Sequence, residues 1–257
     1  MGRSADLALA AFVLICLPPS LAVAVEPVDL ALVIAVDIST SMDIDEQRLQ
    51  RDGYVAALRH QDVIGAITAG PHGSIALAYV EWAGRDIHST IVPWTIIGDR
   101  LSAESFAARL ASAPLRQAAG TSISSALLFA GSQFNRRDYE ADRLAVDISG
   151  DGPNNSGHPV DLMRDWLVRR GVTINGLPIM LRPESDIQGG SLEDYYEDCV
   201  VGGPGAFVIP VTNAANFATA IRSKLMLEIA GHSAKLPLVP AAFASEPWID
   251  CAIVERE

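Results

Sequence analysis

The chain is short of basic side chains: 19 Lys and Arg stand against 31 Asp and Glu in 257 residues, a formal net charge of −12, with a pI near 4.8. Proteins that grip a phosphate backbone do so with clustered Lys and Arg, so nucleic acid is excluded as a partner class. Histidine is scarce and scattered, at His60, His72, His88, His158 and His232. No His-Glu-x-x-His helix or Gly-x-x-x-x-Gly-Lys loop is there to hold a catalytic zinc or a nucleotide phosphate. Gly120-Thr121-Ser122-Ile123-Ser124 departs at its last position from the Gly-x-Ser-x-Gly elbow of serine hydrolases. No internal repeat is visible, and beyond the first residues no apolar run is long enough to cross a bilayer. A protein without stable membrane insertion and without enzymatic activity is expected.

The first residues read as a cleavable export signal spanning 1–24: Arg3, an apolar stretch over 7–17, the break Pro18-Pro19, then Ala22-Val23-Ala24 as the small-residue cleavage site. Cys16 follows Val13-Leu14-Ile15 and lacks the small residue expected just before a lipidated cysteine. The expected product is exported, to the periplasm or the extracellular space. Two cysteines, Cys199 and Cys251, then remain in a compartment where disulfides persist. They either pair or stay as two buried thiols; pairing is the expectation, because the tail over 232–257 has little else to hold it.

Along 25–231, apolar runs alternate with helical patterns, the signature of a parallel sheet covered on both faces. Strands are expected at 28–36, 74–82, 88–97, 143–148, 172–178 and 206–211, with 74–82 and 88–97 forming a hairpin. Helices are expected at 45–60, 102–112 with a cap at Ser102, 121–134, 159–170 and 214–230. Two segments stand outside the alternation: an insertion over about 180–205, rich in glycine and acidic residues with a short helix at its centre, and the tail, where Pro237, Pro240 and Pro247 prevent a long helix.

The chemistry concentrates where Val33-Ile34-Ala35-Val36-Asp37-Ile38-Ser39-Thr40-Ser41 brings one carboxylate and two hydroxyls into a loop at the end of a buried strand. Thr121 after Gly120 and Asp151 after a later strand add two more oxygens from separate loops. Such loops at the carboxyl ends of strands are where open α/β sheets place their sites. Oxygen-only donors suit a hard cation such as Mg²⁺ or Mn²⁺. Singly, Asp-x-Ser-x-Ser before a helix is a capping loop and Thr121 a good cap; their order along the chain is what points to a metal.

A strand ending in Asp-x-Ser-x-Ser, a later Thr at a helix start and a later Asp-Gly resemble the von Willebrand factor A-domain family over about 28–231. The insertion, with Tyr195-Tyr196-Glu197-Asp198-Cys199, and the last helix look like a bacterial branch of exported A-domain proteins of uncharacterised function. The resemblance implies an α/β, Rossmann-like A-type fold: a mainly parallel central sheet with one antiparallel edge hairpin strand and helices on both faces. It also implies a metal-ion-dependent adhesion site at Asp37, Ser39, Ser41, Thr121 and Asp151. There the three hydroxyls touch the ion, the two carboxylates act through water, and a partner protein's Asp or Glu fills the open position.

The sequence departs from the family at Ser149-Gly150 before Asp151-Gly152, where Thr or Ser usually precedes Asp-Gly directly. The two glycines would allow positive φ on either side of Asp151, with Asp147 as the fallback ligand, although its strand parity points it at a helix. Asn154-Asn155 shape the loop or hydrogen-bond a ligand, and His158 is the one histidine near the site. The competing reading is a metal-dependent phosphatase or hydrolase using Asp37. Against it, haloacid-dehalogenase-type phosphotransferases need a second Asp where Ser39 stands. A third reading leaves the loop oxygens as fold supports only.

Overall fold

A computed structural model describes residues 26–136, 139–182, 190–231 and 249–251. The expected signal over 1–24 and most of the tail lie outside the described residues. Strand β1 (Glu26–Val28) leads into β2 (Leu30–Asp37), then α1 (Ile44–Arg59), α2 (Gln61–Thr68), β3 (Ile75–Trp82) and β4 (His88–Ile97). After α3 (Arg100–Ser112) and α4 (Ile123–Gln133) come β5 (Tyr139–Ala141), β6 (Leu144–Gly150), α5 (Val160–Val168) and β7 (Val172–Pro178). The short α6 (Leu192–Tyr195) and the closing α7 (Phe217–Ala230) complete the order.

The central sheet runs β4-β3-β2-β6-β7, all parallel except β4, which pairs antiparallel with β3. This is the A-type architecture the resemblance implied. Every residue of β2 is buried, as a strand covered on both faces must be, so it reads as an unbroken apolar run. Period two divides its side chains. Leu30, Leu32 and Ile34 pack with Tyr54 and Leu58 of α1, Phe106 of α3 and Ile221 of α7. Ala31, Val33 and Ala35 pack with Ile123 and Leu127 of α4 and Leu167 of α5. The chain leaves β2 toward one face and β6 toward the other, so their carboxyl ends flank a topological switch point and open a crevice.

Several elements differ from the expectation. The helix expected to end at His60 stops at Arg59, and His60 caps a second helix: its Nδ1 accepts from Asp62 N at 3.2 Å. Helix α3 is capped by Asp99 instead of Ser102, whose hydroxyl sits at the third helical position of the capping box. The expected strand over 206–211 makes only isolated bridges alongside β7, Gly176↔Val208 and Ile179↔Val211, because Pro178 of β7 has no N–H to donate to Ile209 O between the bonds that Ile209 N and Val211 N make. The pair β1 with β5 was not legible as strands. In the insertion, α6 runs into a widened turn over Tyr196–Val200, and Cys199 is joined to Cys251 by a disulfide. Among the described residues no helix is long and apolar enough to cross a membrane.

Candidate metal centre

Asp37 ends β2 with no exposed surface. The chain turns sharply behind it: Ser39 N donates to Asp37 Oδ1 at 2.7 Å, and Asp43 then caps α1 through the N–H groups of Asp45 and Glu46. The hydroxyls of Ser39 and Ser41 are 2.7 Å apart, and Ser41 donates to Asp151 Oδ1 at 2.6 Å. One hydroxyl relay thus joins the loop after β2 to the loop after β6. The third loop is tied to the first by Thr40 N to Ala118 O at 2.9 Å and Ala118 N to Ile38 O at 3.0 Å. It is tied to the β6 loop by Asn155, whose Oδ1 accepts from Thr121 N at 2.9 Å and whose N–H donates to Thr121 O at 2.9 Å. The structure therefore brings all three loops to one rim, with Ser39 and Thr121 almost wholly buried and Ser41 exposed.

Asn154 and Asn155 shape the rim: Asn154 Oδ1 accepts from Ser124 N at 3.1 Å and its Nδ2 donates to His158 O at 3.2 Å. His158 enters this network through its carbonyl, while the residue lines a separate cavity beside α4 with Arg85, His88 and Phe129. Asp147 points away from the rim, toward the helices as its parity required. Its Oδ2 accepts from Tyr54 Oη at 3.2 Å and its Oδ1 lies 2.7 Å from Lys224 Nζ. One expectation is corrected: neither Gly150 nor Gly152 takes a positive φ. Gly150 is needed instead for close approach, because a Cβ there would sit 2.9 Å from Asp37 Oδ2 and 3.0 Å from Tyr196 Oη.

Burial pushes the Asp37 carboxyl up to about 8; the Ser39 N–H opposes this and the charge of Asp151 adds to it. Asp151 is also raised by burial, against the Ser41 hydroxyl bond and the nearby Arg182 guanidinium. Among the described residues no Lys, Arg or His forms an ion pair with either carboxylate; Arg182 instead binds Glu46 and Asp43. Asp37 Oδ2 is buried without a hydrogen-bond partner, a state that costs the full desolvation of the oxygen. Two carboxylates and three hydroxyls, with no nitrogen or sulfur among them, fit a hard divalent ion and its water shell.

Three contributors were not legible beforehand. Gln50 of α1 donates to Ser149 Oγ at 2.7 Å beneath the rim, Arg182 donates to Ser41 O, and Tyr196 reaches Gly150 from the insertion. Gln50 comes from the helix that follows the first loop and Arg182 and Tyr196 from segments far along the chain; only Tyr196 lay in a stretch the resemblance singled out, and with no role at the rim. A second cluster, Asp29, His72 and Asp142, has ligand atoms within 4.8 Å of one another. It lies at the opposite, amino-terminal end of the sheet, just before β2, β3 and β6. There Asp29 is occupied by His72 N at 2.9 Å and Ser74 N at 3.3 Å.

A family described as "Protein of unknown function (DUF1194)" matches residues 27–233. No curated protein matches the chain. Among solved structures, the pilus adhesin SpaC from Lactobacillus rhamnosus GG aligns over 79% of this chain and 30% of its own, at 12% identity and a TM-score of 0.59. Proximal thread matrix protein 1 from the mussel byssus, solved "with zinc occupied MIDAS motif", aligns over 79% of this chain and 46% of its own at 15% identity and a TM-score of 0.56. A von Willebrand factor type A protein from Catenulispora acidiphila aligns over 79% of this chain and 43% of its own at 17% identity and a TM-score of 0.53. The chain thus spans less than half the length of these structures, and at such identities the likeness concerns the fold.

Proposed function

Since the chain belongs to the DUF1194 family and carries a von Willebrand A-type fold, we propose that it is an exported, divalent-cation-dependent protein-binding module of the adhesion type. In this reading Ser39, Ser41 and Thr121 offer their hydroxyls to Mg²⁺ or Mn²⁺. Asp37 and Asp151 steady the ion's water shell, and an Asp or Glu of a partner protein takes the remaining position. The bound ion would supply the positive field that lets an acidic protein hold an acidic partner. The observation that carries the reading is Asp37: a fully buried carboxylate with an unpartnered oxygen, beside the relay Ser39–Ser41–Asp151. Keeping carboxylates behind the hydroxyls leaves more attraction for an incoming anion.

The competing hydrolase reading needs Asp37 as a nucleophile in reach of substrate. Its complete burial, with Oδ1 taken by Ser39 N, favours a supporting role. Export rests on the signal-like start, and N-terminal sequencing of secreted protein tests it: a chain still beginning at residue 1 would count against it. For binding, partners captured from the cell envelope are compared with and without chelator. A metal-dependent partner bearing an essential Asp or Glu is expected, and an identical catch in both conditions would remove the proposal.

A further inference from the structure

Tyr196 is fully buried and its phenol oxygen has no hydrogen-bond partner. A tyrosine in that state is at a disadvantage against phenylalanine, which would bury the same ring without stranding a hydroxyl. The ring is nevertheless seated with care. It crosses β7 at Gly176, where a Cβ would come within 2.6 Å of its Cδ1, and its oxygen ends over β6 at Gly150, where a Cβ would sit 3.0 Å from it and 2.9 Å from Asp37 Oδ2. Two glycines on neighbouring strands thus open a slot that ends near Asp37 Oδ2, a second unpartnered oxygen. The turn bearing Tyr196 is fixed by the Cys199–Cys251 disulfide and by Arg164, which donates to Asp198 O at 2.7 Å.

Resting on the metal-site reading above, we propose that Tyr196 is a positioning residue of the centre: when the ion binds, its O–H turns to donate to Asp37 Oδ2, a bond the two oxygens do not make in this structure, and holds that carboxylate toward the ion's water shell. The insertion is then part of the site. A donor on the far oxygen keeps Asp37 from swinging into direct contact with the ion, and preserves the ion's attraction for a partner's acid group. Partners of this kind commonly change metal affinity by about tenfold to a hundredfold.

Tyr196→Phe keeps the ring and removes only the hydroxyl. Calorimetric titration of the full chain with Mn²⁺ should show affinity at least about tenfold weaker in the variant, with the melting temperature of the metal-free protein unchanged or raised. A near-ultraviolet tyrosine difference spectrum should accompany Mn²⁺ addition to the wild type and vanish in Tyr196→Phe, which a purely structural ring would not produce. Wild-type binding with equal affinity in the variant overturns the role of Tyr196 and leaves the metal site standing. No Mn²⁺ binding by the wild type overturns both.

Discussion

Asp147 and Asp151, on and just past the same strand, meet opposite fates. Asp147 is buried where the chain brings its own cation: Lys224 of α7 lies 2.7 Å from it and 2.6 Å from Glu228, with Tyr54 donating from α1. Asp151 receives a serine hydroxyl, the repulsion of Asp37 and the pull of Arg182, but among the described residues no ion pair. The whole chain has only two lysines, Lys224 and Lys235, and one of them is spent in the closed cluster. A carboxylate group neutralised from within supports the fold, whereas one left short of positive charge at a crevice is suited to an ion from outside.

Removing the internal cation should have the largest effect. Lys224→Met leaves Asp147 and Glu228 buried together, and urea unfolding at neutral pH should show a loss of about 3–5 kcal/mol; a near-neutral result would mean the cluster is not closed as described. At the rim the same kind of change should act on binding. Asp37→Asn removes the ionisable carboxyl at constant shape, so Mn²⁺ affinity measured by calorimetry should drop by about a hundredfold while metal-free stability holds or rises. If the two variants behaved alike, the contrast between the regions would be lost.

Acidity sharpens the contrast further. Burial pushes Glu228 up to about 7 from its ordinary 4.5, with Lys224 pulling it back. A raised carboxyl favours folding in its protonated form, so its contribution is complete below 4.5 and disappears as pH rises through about 7. Unfolding free energy should therefore decline across that window by on the order of 3 kcal/mol, and Glu228→Gln should flatten the decline in a pH series of denaturant titrations. The smallest effect is expected at the loop joint. Asn155→Ala removes the acceptor for Thr121 N, costs about 1 kcal/mol, and should weaken Mn²⁺ binding only several-fold.

Much of the fold was legible because burial on both faces writes β2, β3, β6 and β7 as apolar runs. The limits appeared where backbone chemistry overrides pattern. Pro178 of β7 interrupts the ladder beside it and reduces an apolar run to bridges, and His60 divides what periodicity merges into one helix. At the rim, the meeting of the loops that carry Asp37, Ser39, Ser41, Thr121 and Asp151 was legible from order and residue type, and their holding a metal is the proposal made above. Gly150 was singled out for the wrong reason, since close approach and not φ is what it serves.

The sequence by itself determined the alternation of strands and helices, the oxygen-rich loop after the first long strand and the acidic balance, because burial and turn chemistry are local and leave a local trace. The tertiary structure alone decided which carboxylate would be neutralised and which left open. Lys224 reaches Asp147, and Tyr196 reaches Gly150, from distant segments of chain. A charge's environment is set by what packs around it in space, and neighbours along the backbone carry no record of that packing.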